Sequence, residues 1–146
     1  MTQERFQAFV TGISVCYKYI QKIKSVEMTE FGLKGAHAMC LFFLHNHPEG
    51  LTAAQLSQLC AEDKAAVSRS LASLAEQGYI ESEEKKYRSR LRLTAAGKTV
   101  ASHIDAMIER WVESGGDGLT EEDREVFNRS LELISNNLRD KIGEME

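Results

Sequence analysis

The sequence lacks long apolar runs and disulfide-type cysteine spacing. No apolar run approaches the roughly 20 residues that a transmembrane helix needs, so we expect no membrane partner. Cys16, Cys40 and Cys60 are an odd number without a Cys-x-x-Cys pair, which favours buried free thiols in a reduced cytoplasm. The first ten residues also lack the basic and apolar regions of a secretory signal, and the sequence therefore predicts a cytoplasmic location.

Catalytic and metal-binding patterns are missing as well. The sequence contains no evident paired carboxylates, Ser/His/Asp set or glycine-rich phosphate loop, so we expect no enzyme and no cofactor. Its histidines are scattered, and His45 and His47 stand in a loop without a matching Cys/His pair. This spacing predicts no metal site.

A net excess of basic charge is absent, but the charge is unevenly distributed. The formal net charge of −4 argues against a nucleic-acid partner when it is taken alone. Residues 1–62 are neutral overall, residues 63–98 carry eight basic and five acidic side chains, and residues 99–146 carry five basic and twelve acidic ones. A basic middle, at +3, is therefore followed by an acidic end, at −7.

Apolar spacing predicts a mainly helical chain. Apolar residues alternate at spacings of three and four over residues 6–23, 100–111 and 127–138, which is typical of helices with one apolar face. Thr52 and Asp63 are N-cap residues of two short helices in the middle, and Thr120 is the N-cap residue of the last helix. Leu56 and Leu59 face inward on the first of these, and the second ends at Gly78.

A hairpin follows these two helices. Residues 79–81 and the alternating run 87–94 are separated by a polar tip, and the alternation places Arg88, Arg90 and Arg92 on one face. A helix, a tight turn, a second helix and a hairpin make a winged helix-turn-helix, in which the second helix enters the major groove of DNA.

The second helix carries side chains suited to reading DNA. Lys64, Ala65, Ser68 and Arg69 lie opposite its apolar stripe, and Arg69 can pair with guanine through two hydrogen bonds. Arg88 and Arg90 are candidates for contacts with phosphates or a minor groove. The alternative interpretation is that both features are solvated faces, but they share the only basic third of the chain.

The order and spacing of these motifs resemble the MarR family of bacterial transcription regulators. The resemblance covers essentially the whole chain. It is carried by Leu51-Thr52-Ala53-Ala54-Gln55-Leu56, Asp63-Lys64-Ala65-Ala66-Val67-Ser68-Arg69-Ser70-Leu71, Leu74-Ala75-Glu76-Gln77-Gly78-Tyr79-Ile80 and Leu91-Arg92-Leu93-Thr94-Ala95-Ala96-Gly97.

The resemblance implies a homodimer that binds a pseudo-palindromic site in double-stranded DNA, usually as a repressor. It implies dimerisation helices at residues 1–30 and 99–146 around a DNA-binding lobe at 31–98, and a small lipophilic or phenolic effector as a candidate ligand. Many members carry Asp-x-Arg in the wing, where this chain has Lys85 and Tyr87. The predicted DNA-binding residues are Lys64, Ala65, Ala66, Ser68, Arg69, Lys85, Lys86, Arg88 and Arg90.

Two further hypotheses remain open at this point. The acidic C-terminal third also suits a winged-helix module that binds other proteins without reading DNA. Cys16 in the first helix resembles the peroxide-sensing cysteine of some family members, but its position on an apolar seam favours packing over redox chemistry.

Overall fold

The protein is mainly helical with one small antiparallel sheet, as the sequence predicts. The computed structural model describes residues 1–83 and 89–146, and the chain divides into two compact units, Met1–Met107 and Ile108–Glu146. The elements are α1 (Thr2–Met28), a 3-10 turn (Thr29–Phe31), α2 (Gly35–Asn46), α3 (Ala53–Cys60), α4 (Lys64–Glu76), β1 (Ile80–Ser82), β2 (Leu91–Leu93), α5 (Ala95–Gly115) and α6 (Glu121–Met145).

Polar caps determine where three of the helices begin. Thr52 Oγ1 accepts a hydrogen bond from the Gln55 amide at 3.2 Å, and Gln55 Oε1 accepts one from the Thr52 amide at 2.9 Å. Asp63 Oδ1 accepts a hydrogen bond from the Ala66 amide at 2.7 Å, and a reciprocal box at Thr120 opens α6. These bonds satisfy amides that have no partner within a helix, so the predicted starts of α3, α4 and α6 are confirmed.

Helix α2 lies at the centre of the first unit, where it packs against α1, α3, α4 and β2. Leu41 and Leu44 of α2 are buried together with Leu56 of α3 and Leu74 of α4. The predicted apolar stripe of α4, which also includes Val67, is therefore confirmed as its inner face.

Leu59 differs from the prediction. It is 41% exposed, because the short helix α3 turns Leu56 and Cys60, one turn apart, towards the core instead. The apolar spacing identified the helix but placed one residue on the wrong side of it.

The strand that contains Leu91 has backbone hydrogen bonds along both of its edges. β1 and β2 are antiparallel, with Ile80 opposite Leu93. On the other side, the Leu51 amide donates to the Leu91 carbonyl at 3.1 Å and the Leu91 amide donates to the Leu51 carbonyl at 2.7 Å. The segment just before α3 therefore holds the base of the wing.

The second wing strand is shorter than the alternating run 87–94. Among the described residues, strand pairing covers 91–93, and beyond it the Glu83 amide donates to the Arg90 carbonyl at 3.1 Å. Alternation of side chains reports which face a residue occupies, but it does not fix how many residues join the ladder.

Helix α5 begins in close contact with the chain before β1. Thr94 Oγ1 donates to the Gly78 carbonyl at 2.7 Å and accepts a hydrogen bond from the Gly97 amide at 3.1 Å. Gly97 is buried, and a Cβ atom there would run into the carbonyl oxygen of Tyr79. The Leu-Thr-Ala-Ala-Gly run thus combines a helix cap with a glycine required by close backbone approach.

The apolar faces of α1 and α6 are exposed in the single chain. Phe6 is 67% exposed and Val26 64% exposed on α1, and Phe127 is 57% exposed on α6. Cys16 is exposed as well, so the prediction that all three thiols are buried is wrong for this residue. Within residues 1–83 and 89–146, none of the helices combines the length and apolar character needed to span a membrane.

His37 is a buried histidine whose ring closes the start of α2. Its Nδ1 atom accepts a hydrogen bond from the Lys34 amide at 2.9 Å, which requires an unprotonated Nδ1. Burial, and then the positive charge of Lys34, lower the pKa of His37 below its ordinary value of 6.5. The folded protein therefore resists protonation at this position.

We expect the free energy of unfolding to decrease as the pH falls below about 6.5, because the unfolded chain then binds a proton at His37 that the folded chain excludes. Above that pH both states are neutral there, and this contribution does not change. Denaturation at several pH values between about 7.5 and 5.5 measures the effect.

A His37→Gln variant should lose this part of the pH dependence. His103→Gln, which changes an exposed histidine, serves as the matched control and should retain it. Equal pH dependence in the wild type and His37→Gln would contradict the assignment.

Candidate nucleic-acid interface

Helix α4 presents the predicted reading face to solvent. Lys64, Ala65, Ser68 and Arg69 are exposed, whereas Val67 on the opposite side is 2% exposed. No described residue forms a hydrogen bond or ion pair with the Lys64 or Arg69 side chain. Both cations are therefore available to a partner.

Ala66 differs from the other predicted residues of α4. Its side chain is half-buried, and its amide is already bonded to Asp63. Ala66 therefore helps to anchor the start of α4 and offers less surface to a ligand than Ala65 does.

The turn before α4 has an unusual backbone. Ala61 has φ 54°, in the left-handed region, and is the only non-glycine residue with positive φ among those described. Its amide bonds to the Gln58 carbonyl at 3.2 Å, and Ser57 Oγ donates to the Glu62 carbonyl at 2.8 Å. These bonds fix the short turn between α3 and α4.

The arginines of the wing divide into two roles. Arg92 forms an ion pair with Glu83 at 2.6 Å and donates to the Glu49 carbonyl at 3.0 Å, so it serves the structure of the wing. Arg90 is exposed, and its only described hydrogen bond, to the Gly50 carbonyl, is long at 3.4 Å. Arg90 therefore keeps donors free for an anion, whereas Lys85, Lys86 and Arg88 lie outside the described residues.

Gly50 is a site residue that sequence reasoning missed. Its φ is +92°, and a Cβ atom there would lie 3.0 Å from Arg90 Cβ and 3.3 Å from Arg92 Cγ. The arginine row therefore packs over a glycine backbone. The Pro48-Glu49-Gly50 turn signalled the glycine but not the arginines that contact it.

A shallow pocket of about 280 Å³ lies beside the base of the wing. Its lining combines apolar and basic side chains, and His45 there is paired with Asp105 at 3.0 Å. The lining residues are Leu44, His45, His47, Pro48, Arg92, Leu93 and Lys98. Among the described residues, no group of three or more His, Cys, Asp or Glu side chains is arranged to hold a metal ion.

The sequence of the winged lobe matches the model of a known protein family. Residues 31–89 match the model of the MarR family. The winged lobe is therefore similar to members of the MarR family. The resemblance predicted from the sequence is thus confirmed over α2, α3, α4 and β1, and family members are transcriptional regulators and not enzymes. Comparison with curated proteins gave no match.

Solved structures share the fold over nearly the whole chain. A MarR transcriptional regulator from Methanosarcina mazei Go1 superposes with a TM-score of 0.78 at 22% identity, covering 92% of this chain and 91% of that chain. At this identity the similarity shows the fold. The shared fold extends beyond the segment that matches the family model.

Two similar structures contain DNA. A MarR family transcriptional regulator from Listeria monocytogenes, complexed with 26mer DNA, has a TM-score of 0.79 at 20% identity, covering 90% of this chain and 89% of that chain. The S. aureus MepR–DNA complex has a TM-score of 0.80 at 16% identity, covering 90% of this chain and 97% of that chain. This fold therefore occurs in DNA-bound regulators.

Proposed function

We propose that the protein is a homodimeric repressor that binds a pseudo-palindromic DNA operator through α4. The observation that carries the proposal is the exposed face formed by Lys64, Ala65, Ser68 and Arg69, on a helix whose other side is fixed in the core. The MarR-family lobe and the DNA complexes of similar structures support it.

Each residue of this face has a chemical role in the proposal. Arg69 donates two parallel hydrogen bonds to guanine, and Ser68 or Ala65 contacts a base edge, a thymine methyl group or a phosphate. Lys64, at the start of α4, neutralises a phosphate, as Arg90 does from the wing. Small side chains at 65 and 68 allow the helix to approach the groove closely.

The charge distribution limits how the protein binds DNA. The net charge of +3 falls on residues 63–98, which contain α4 and the wing, and −7 falls on residues 99–146. Non-specific affinity is therefore modest, and specificity depends on a few well-placed contacts.

The second copy in this proposal covers exposed apolar faces. Tyr17 is 60% exposed on α1, and Leu133 and Leu138 are 60% and 53% exposed on α6, in addition to the residues described above. Exposed apolar helix faces of this kind favour association. In this proposal, residues 1–30 and 99–146 are dimerisation helices and residues 31–98 are the DNA-binding lobe.

The proposal includes release of the operator by a small lipophilic or phenolic effector. The pocket beside the wing supports this step because Lys98 offers positive charge next to Leu44 and Leu93. A phenolate or an aromatic carboxylate would find both an apolar wall and a counter-charge there.

Selection of operators from genomic DNA tests the proposal. We expect a two-fold site with half-sites about one helical turn apart, bound by two chains. A dimer that neutralises roughly six phosphates should lose about 10³-fold in affinity between about 50 and 200 mM salt. Electrophoretic mobility shifts over a salt series measure this loss, and release by candidate phenolic compounds can be screened on the same complex.

Two outcomes would contradict the proposal. Affinity that is flat across the salt series is incompatible with phosphate contacts. Complete absence of retardation of random duplex DNA at low salt would favour the protein-interaction module instead.

A further inference from the structure

Arg92 joins three segments of the winged lobe. From its place on β2, its guanidinium pairs with the Glu83 carboxylate at 2.6 Å, just past the end of β1. It also donates to the Glu49 carbonyl at 3.0 Å, in the turn before α3. A guanidinium can bind two acceptors at once because its donors form a planar fork. We refer to Glu49, Glu83 and Arg92 as the wing clasp.

The wing clasp adjoins Arg90 on two sides. The Glu83 amide donates to the Arg90 carbonyl at 3.1 Å, so the residue that pairs with Arg92 through its side chain also holds Arg90 through its backbone. Gly50 lies under both arginines, since a Cβ atom there would be 3.0 Å from Arg90 Cβ and 3.3 Å from Arg92 Cγ. The side chain of Arg90 has only the long bond to the Gly50 carbonyl among the described residues, and its position therefore depends on the clasp.

The exposure and charge of the pair argue against a role in stability alone. The side chains of Arg92 and Glu83 are 40% and 46% exposed, and ion pairs this exposed contribute little to the free energy of unfolding. Glu83 also places a negative charge next to Arg90, which by itself opposes the approach of a phosphate. A pair that stabilises the fold weakly and repels the proposed ligand is better explained by the group it positions.

We propose that Arg92 is a positioning residue for DNA binding, which holds Glu83 and the turn at Glu49 so that the guanidinium of Arg90 faces the DNA backbone. In this arrangement Arg92 serves the wing clasp and contacts no phosphate itself. Glu83 and Arg92 also lie outside the places of the Asp-x-Arg motif, which fall at residues 85 and 87. The proposal rests on the proposed function, in which Arg90 neutralises a phosphate.

Glu83→Gln tests the proposal through the direction of its effect. Loss of the carboxylate opens the wing clasp, so affinity for the selected operator should decrease about tenfold, because one phosphate contact is lost in each half of the site. If Arg92 bound DNA directly, the opposite would follow, since the substitution would release Arg92 and remove a repulsive charge. Fluorescence anisotropy at a fixed salt concentration measures the change.

Glu81→Gln is the matched control. Glu81 is exposed on β1, with its Cα opposite that of Arg92, and no described residue forms an ion pair with its carboxylate. The variant removes the same charge from the same strand without opening the wing clasp, so affinity should stay the same or increase slightly. Unchanged or tighter binding by Glu83→Gln, or an equal loss in Glu81→Gln, would overturn the proposal.

A double-mutant cycle identifies the residue through which Arg92 acts. Arg90→Met and Arg92→Met should each weaken binding about tenfold and each reduce the salt dependence by about one phosphate per chain. The double variant should bind as Arg90→Met does, whereas additive losses would mean that Arg92 has a DNA contact of its own and would overturn the proposal. Thermal midpoints should match that of the wild type, because the pair is exposed. If Arg92→Met is less stable, the direction of the effect of Glu83→Gln still decides.

Nuclear magnetic resonance without DNA separates the wing clasp from the proposed function. The guanidinium protons of Arg92 should exchange with water more slowly than those of the exposed Arg69. Glu83→Gln should abolish this difference, and Glu81→Gln should retain it. Equal exchange of Arg92 and Arg69 in the wild type would overturn the clasp. If the wild type binds no DNA, the proposed function is contradicted, while the exchange rates still show whether the clasp forms.

Discussion

Replacement of Gly97 by alanine is expected to lower the free energy of unfolding by about 2 kcal/mol or more. The added Cβ would overlap the carbonyl oxygen of Tyr79 and lie 3.2 Å from Leu93 Cδ2. That carbonyl already accepts the Thr94 amide at 3.0 Å, so it cannot move without breaking the junction of β2 and α5. The clash outweighs the gain of about 1 kcal/mol that alanine brings to a helix interior.

Chemical denaturation of the variant and the wild type measures this effect. Gly115→Ala is the matched control, because Gly115 lies in the same helix and a Cβ there would meet no atom within 4 Å. The control should be as stable as the wild type or slightly more so. Equal stability of Gly97→Ala and the wild type would contradict the close approach of α5 to Tyr79.

Replacement of Arg69 by alanine is expected to weaken operator binding by about 10- to 100-fold, since a bidentate arginine–guanine contact is worth about 1–3 kcal/mol. Discrimination at the contacted base pair should be lost as well. Arg69 is exposed and bonded to no described residue, so the thermal midpoint should stay unchanged. Fluorescence anisotropy on the selected operator and on a version with that base pair altered measures both effects.

Arg69→Lys distinguishes base reading from a simple phosphate contact. Lysine keeps the charge but lacks the planar fork, so the salt dependence should persist while the preference for guanine decreases. If Arg69→Lys restores full affinity and full discrimination, Arg69 contacts only the backbone. If Arg69→Ala binds as tightly as the wild type, α4 does not read the operator through this residue.

Local chemistry explains why the helix starts could be predicted from the sequence. Caps at Thr52, Asp63 and Thr120 act within three residues, and the structure confirms each one. The buried stripe of α4 likewise follows from helical periodicity alone. These features required no knowledge of the rest of the chain.

Long-range contacts explain what the sequence did not predict. Arg90 and Arg92 share a face of the wing, as predicted. Only the fold brings Glu83 and Glu49 to Arg92, which has a structural role. It places the Gly50 carbonyl beside Arg90, which remains available. Periodicity cannot identify such partners, because it describes each element separately.

The exposed face of α1 illustrates a different limit. The alternating apolar spacing predicted an amphipathic helix, and the structure confirms the helix. Spacing marks a face that avoids water but does not identify what covers it. Only a partner, which the proposed dimer supplies, can complete that account.

The double pairing of Leu91 has an evolutionary consequence. Leu51 on one side and β1 on the other hold the base of the wing. The register of Leu91 and Leu93 is therefore set by Leu51 and β1, and not by the length of the chain between Glu83 and Arg90. A lineage can therefore lengthen or shorten this segment while the backbone pairing of Leu51, β1 and β2 is kept.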